Sequence, residues 1–102
     1  MNEEQKKRLV KAIEQTEAWE RIPTNIEGVF VVKTPEQNNN QTVFVEINPS
    51  VRGQPIKRRG LYLKSNNELT SFTEILNNPK VMELLEVINK YYSKHKIPRI
   101  EI

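Results

Sequence analysis

Two runs of β-branched and aromatic residues, Ile26–Thr34 (IEGVFVVKT) and Thr42–Asn48 (TVFVEIN), constrain this chain more than any other feature. Both are rich in the residue types that fit a pleated, half-buried surface, and only the polar link PEQNNNQ separates them. The pair reads as a hairpin. Asn48–Pro55 (NPSVRGQP) then carries the proline and glycine punctuation of a second connection, and Ile56–Lys64 follows as a third strand. Three consecutive strands with short links predict an antiparallel meander.

Helices are expected on either side of these strands. Asn2 is placed to cap a first helix with Gln5 three residues on, and Leu9, Ile13 and Thr16 give it one stripe at helical spacing. That helix is expected to reach about Trp19 and to stop before Pro23, because the residue before a proline is pushed out of the α region. After the third strand, Ser65-Asn66-Asn67-Glu68 matches a capping box, and Leu69, Phe72 and Leu76 mark the helix behind it. Asn77-Asn78-Pro79 ends that helix and starts another, with Pro79 at a first position where its missing N–H costs nothing. Val81, Leu84, Leu85, Ile88 and Tyr92 recur along this last helix, and core burial is expected for them. The tail KIPRIEI is either a short edge strand or a frayed end.

The fold class is therefore α+β: an antiparallel sheet of three to four strands, with an N-terminal helix and two C-terminal helices packed on one face and the other face open. With 102 residues, a single domain (1–102) with a thin core is expected. The absence of cysteine excludes disulfides and thiolate metal sites. The polar start MNEEQKKR and the lack of any apolar run near ~20 residues point to a soluble, cytoplasmic chain without a membrane span.

A formal net charge of +3 is mild, but it is unevenly spread. Between Thr42 and Lys64, Arg52, Lys57, Arg58, Arg59 and Lys64 stand against Glu46 alone, a concentration that attracts a polyanion. Side chains alternate across a strand, so Arg58, Tyr62 and Lys64 are expected on one face of the third strand and Leu61 and Leu63 on the other. On the second strand Val43, Val45 and Ile47 form the aliphatic set. If Val29 and Val31 also point inward, Phe30, Phe44 and Tyr62 line up on the open face beside the cations. Rings interleaved with cations suit single-stranded nucleic acid, whose bases stack on aromatics while lysine and arginine track the phosphates. The bland reading is that Tyr62 reflects ordinary β propensity, that Phe30 or Phe44 is core, and that the cations protect a sheet edge.

Pro55-Ile56-Lys57-Arg58-Arg59-Gly60-Leu61-Tyr62-Leu63, followed by a polar cap and a helix, resembles a segment of the transcriptional positive cofactor four fold: proline, basic cluster, glycine, aliphatic, any residue, leucine. That fold binds melted DNA on a curved antiparallel sheet. The likeness covers less than a quarter of the chain, which departs from the family in its long first helix, its lack of an evident fourth strand and its second C-terminal helix. The order of helix, antiparallel strands and C-terminal helix in a lysine- and asparagine-rich chain is similar to the archaeal single-stranded DNA-binding proteins of the ThermoDBP type, where a basic sheet with an apolar cleft holds the strand. Both resemblances imply single-stranded DNA ahead of RNA. The second likeness is one of layout; residue by residue only Lys57, Arg58, Arg59 and Tyr62 carry over, from the Pro55–Leu63 segment, whereas Phe30, Lys33, Phe44 and Arg52 enter the candidate site on strand geometry.

Constellations for catalysis are not apparent. His95 is the lone histidine and has no evident acid–base partner; aspartate is missing, and the glutamates are scattered. Glu46, on the candidate binding face, is expected to pair with Arg58 or Lys64. Gly28, Gly53 and Gly60 form no phosphate loop, and Gly60 is expected to mark a bulge or a close backbone approach. No enzyme activity, metal or cofactor is expected. The alternative to nucleic-acid binding is a protein interaction module, or a homodimer formed through the last helix, where Val81, Met82, Leu85, Ile88, Asn89 and Tyr92 read as a two-heptad seam.

Overall fold

A computed structural model describes residues 1–52, 54–92 and 100. The chain is α+β and divides into two compact units, Met1–Asn66 and Asn67–Ile102. In order, the elements are α1 (Glu3–Gln15), β1 (Ile22–Pro23), β2 (Val29–Lys33), β3 (Val43–Ile47), β4 (Ser50–Val51), β5 (Gln54–Pro55), β6 (Leu61–Leu63), α2 (Asn66–Leu76) and α3 (Pro79–Tyr92). His95, Gly53 and all of the tail except Ile100 lie outside the described residues.

The first helix starts as its sequence dictates. The Gln5 N–H donates to Asn2 Oδ1 and the Asn2 N–H to Gln5 Oε1, both at 2.8 Å, so two of the orphan donors at the helix start are satisfied reciprocally. It ends sooner than expected, at Gln15 rather than near Trp19. Thr16 takes extended backbone angles and stops the helix by sending both its N–H (3.1 Å) and its hydroxyl (2.6 Å) to the Ala12 carbonyl. Leu9, Ala12, Ile13 and Thr16 are half-buried, and α1 lies against β2.

The main sheet has four antiparallel strands in the order β1-β2-β3-β6. β2 and β3 form the expected hairpin, with Phe30 opposite Glu46 and Val32 opposite Phe44. Glu46 in turn faces Tyr62 on β6. Residues directly opposite share a face, so Phe30, Val32, Phe44, Glu46 and Tyr62 lie on one side, with Val29, Val31, Lys33, Val45, Ile47, Leu61 and Leu63 on the other. The fourth strand, β1, is two residues long and pairs with β2 at the edge, where Pro23 is tolerated.

The third strand is much shorter than its sequence suggests. Only Leu61–Leu63 pair with β3, while β4 and β5 form a separate two-stranded ribbon and residues 56–59 bend back toward the main sheet. Asn48 is the reason. Its side chain donates to the Lys57 carbonyl at 2.8 Å and accepts from the Lys57 N–H at 3.2 Å, giving that backbone the partners a sheet ladder would otherwise supply. Gly60 then passes the Ile47 carbonyl so closely that any Cβ would collide with it and would sit 2.8 Å from the Asn48 Cβ. That is the close backbone approach the sequence suggested.

In the second unit, Asn78 joins the two helices: its side-chain oxygen accepts from the Lys80 N–H and its carbonyl from the Val81 N–H, both at 3.0 Å, with Pro79 at the first helical position. Within this unit taken by itself, the stripe expected as core is not covered. Leu84, Leu85 and Ile88 are 60%, 56% and 42% exposed, and only Phe72 and Val81 among the apolar residues of α2 and α3 reach half-burial. Helical spacing marks an apolar face but does not supply a covering surface.

Candidate nucleic-acid interface

The centre of the site is a buried polar network. Glu46 is completely buried and receives Arg21 Nε at 2.6 Å, Arg21 Nη2 at 3.2 Å, the Gly60 N–H at 2.9 Å and Asn48 Nδ2 at 3.3 Å. Arg21 Nη2 also donates to the Arg58 carbonyl at 2.6 Å. Burial pushes the Glu46 carboxyl up, but the hydrogen bonds from Arg21, Gly60 and Asn48 outweigh it and hold the pKa below the usual carboxylate value. The same hydrogen bonds, donated by Arg21 to Glu46, raise the guanidinium pKa. Glu46 therefore pairs with Arg21, not with Arg58 or Lys64 as expected. A main-chain carbonyl is the only part of Arg58 in this network.

This network positions the basic segment. The bend at 56–60 is tied to β3 through Asn48, Glu46 and Arg21, so Arg58 and Arg59 are presented from a clamped loop. Next to it, the Phe44 and Tyr62 rings lie 5.5 Å apart at a 41° tilt, and Lys64 Nζ stands 5.3 Å from the Phe44 centroid. Both rings are half-buried and Lys64 is exposed. Such a tilted pair with a cation over one ring is a stable arrangement that still offers ring surface to a ligand.

Five of the nine candidate residues meet here: Phe44, Arg58, Arg59, Tyr62 and Lys64. The other four are placed differently. Phe30 shares the face but is only 9% exposed, and the Arg21 guanidinium lies 5.9 Å from its centroid, so it is core and not a stacking surface. Lys33 falls on the opposite face, because alternation along β2 puts it with Val29 and Val31. Arg52 follows β4 with φ 54°, in the ribbon and not in the main sheet. Lys57 has an exposed side chain, and its backbone is what the Asn48 clamp holds.

Two residues absent from the sequence-based site belong to it. Trp19 and Arg21 join Val32, Arg58, Arg59 and Tyr62 around a cleft of about 170 Å³. The signal for Trp19 was its place as an unmatched aromatic between a polar helix and Pro23. For Arg21 it was Glu46, a carboxylate on a face of rings that had to find a cation. Among the described residues no group of three metal-ligating side chains occurs and no helix is long and apolar enough to cross a membrane. Compared with known proteins, the chain matches no family model, no curated protein and no solved structure.

Proposed function

We propose that the protein binds single-stranded nucleic acid without strong sequence preference, through the face that carries Phe44, Tyr62, Lys64, Arg58 and Arg59. The observation that carries this reading is the Phe44–Tyr62 ring pair under Lys64, beside a loop whose two arginines make no ion pair among the described residues. Bases stack on such rings while cations neutralise phosphates, and duplex DNA keeps its base faces hidden. The preference for DNA over RNA rests on the two resemblances alone.

Fluorescence anisotropy with matched single- and double-stranded oligonucleotides at low and high salt tests it. Tighter binding of the single strand is expected; equal affinity for both would leave only electrostatic attraction. Arg58→Ala and Lys64→Ala should each weaken binding and flatten the salt dependence by roughly one phosphate contact, a change of ~0.7 in log–log slope for a single strand. A slope untouched by both substitutions removes these side chains from the site.

The exposed face of α3 favours a second reading, self-association through Leu84, Leu85, Ile88 and Tyr92, the last 72% exposed. Sedimentation of a monomer at every concentration would dispose of it.

A further inference from the structure

The cleft lined by Trp19 and Tyr62 has features that the ring pair beside it does not. Trp19 is the chain's only tryptophan, and the residue is 57% exposed. Its φ is 69°, a left-handed conformation in which a bulky residue is a genuine outlier. The backbone is fixed there, because the Trp19 N–H donates to the Lys33 carbonyl at 2.8 Å and so continues the edge of β2. The angle belongs to the turn in which the Glu20 N–H donates to the Glu17 carbonyl at 3.2 Å, but a turn calls for a small residue there, not for an indole that stays largely in water, and residues held in such geometry gather at ligand sites.

The rest of the cleft defines what fits. Val32, 1% exposed, gives an apolar floor. Arg21 serves as a wall, its charge paired with Glu46 and its Nε and Nη2 donors engaged by Glu46 and the Arg58 carbonyl. Arg58 and Arg59 make no ion pair among the described residues and leave two guanidinium groups at the same cleft. At about 170 Å³ the space is below the ~300–1,000 Å³ of pockets that enclose a drug-sized ligand, so it has room for one flat ring system. Arg58 and Arg59 repel a cationic ring. An aromatic group carrying an anion satisfies every wall. Of the larger hollows, those of about 580 and 440 Å³ are lined by α1 alone with no aromatic ring, and one of about 290 Å³, beside Phe30 and Ser50, has no lysine or arginine in its lining.

We propose that this cleft is a single-nucleotide subsite: one base turned out of the strand inserts against Trp19 and Tyr62 over Val32, and its phosphate lies on Arg58 and Arg59. The inference rests on the single-strand reading and adds an anchor to it, a fixed point at which the protein engages an unpaired base while Phe44 and Lys64 serve the neighbouring nucleotide.

Trp19 reports on its own cleft, because no other residue of the full chain gives tryptophan emission. Labelled short oligothymidylate and an abasic strand of the same length are titrated while anisotropy and Trp19 emission are followed together. Oligothymidylate is expected to quench the emission as it binds; the abasic strand is expected to bind more weakly and leave the emission nearly unchanged. Trp19→Gly, which suits the positive φ, should lower oligothymidylate affinity by about 5- to 150-fold, the equivalent of one base stack, without lowering the melting temperature. Trp19→Phe keeps a ring and should retain most of the affinity. Binding by anisotropy with no quenching, together with wild-type affinity in Trp19→Gly, overturns the subsite and leaves single-strand binding standing. Equal quenching by the abasic strand, or equal loss in Trp19→Phe and Trp19→Gly, also overturns it. No binding of any oligonucleotide removes the single-strand reading and the subsite with it.

Discussion

Arg21→Ala is expected to destabilise the N-terminal unit by about 3 kcal/mol, the low end of the range for breaking one side of a buried ion pair. Glu46 is fully buried and would keep only Gly60 and Asn48 as donors, while the Arg21 side chain is 31% exposed, so water can take part of its place. Domains are stable by only ~5–15 kcal/mol in total, so this is a large fraction. Its pH dependence has a definite sign. In the wild type the folded pKa of Glu46 lies below the unfolded value of about 4.3, so the carboxylate contributes its full stability above that pH and loses it as pH falls through the folded value. Without Arg21 the upward push of burial meets less opposition and the folded pKa rises. The gap between wild type and variant should then narrow as pH falls through about 4. Urea melts of both proteins at neutral and acid pH measure this; equal midpoints at neutral pH would show that the pair does not hold the loop. Because the Gly60 N–H and the Arg58 carbonyl belong to the same network, Arg21→Ala should also loosen the segment that presents Arg58 and Arg59.

The parts of this fold that were legible are those written in local pattern. The β2–β3 hairpin follows from two β-branched runs around a polar link, α1 from the Asn2–Gln5 box, and the helix junction from Asn77-Asn78-Pro79, each a signal contained within a short stretch. What escaped depends on partners distant in sequence. β1 is two residues long and includes a proline, too short for any periodicity. Residues 56–60 have strand-like composition, yet Asn48 and Glu46 on and after β3 supply their backbone partners and bend them out of the ladder. Glu46 was visible as a carboxylate among rings, but choosing Arg21 among sixteen lysines and arginines required β1 to be in place. The same missing strand hid the site's second aromatic wall. Trp19 reaches the cleft because α1 stops at Gln15 and the chain then runs along the β2 edge, which helical spacing through Thr16 gave no reason to expect.

Tyr62→Ala is expected to reduce affinity for single strands by about 1–3 kcal/mol while leaving the salt slope nearly constant, because a stacking surface is lost and no phosphate contact is removed. Tyr62 touches both parts of the site: its ring lies 5.5 Å from that of Phe44 and also lines the Trp19 cleft. It is half-buried, so truncation should cost less stability than the ~3–5 kcal/mol of a core aromatic, with part of the loss coming from the ~0.5–1.5 kcal/mol of the ring pair itself. Tyr62→Phe separates the ring from its hydroxyl and should bind as the wild type does if stacking is the source of affinity. Melting temperature, oligonucleotide affinity and salt slope measured on both variants distinguish the roles. A fall in stability as large as a core truncation, with binding lost in proportion to unfolding, would make Tyr62 a structural residue. A folded Tyr62→Ala protein that binds single strands with wild-type affinity would remove the ring from the interface, and with it the reason for placing aromatic residues among the cations of β6 and the loop that precedes it.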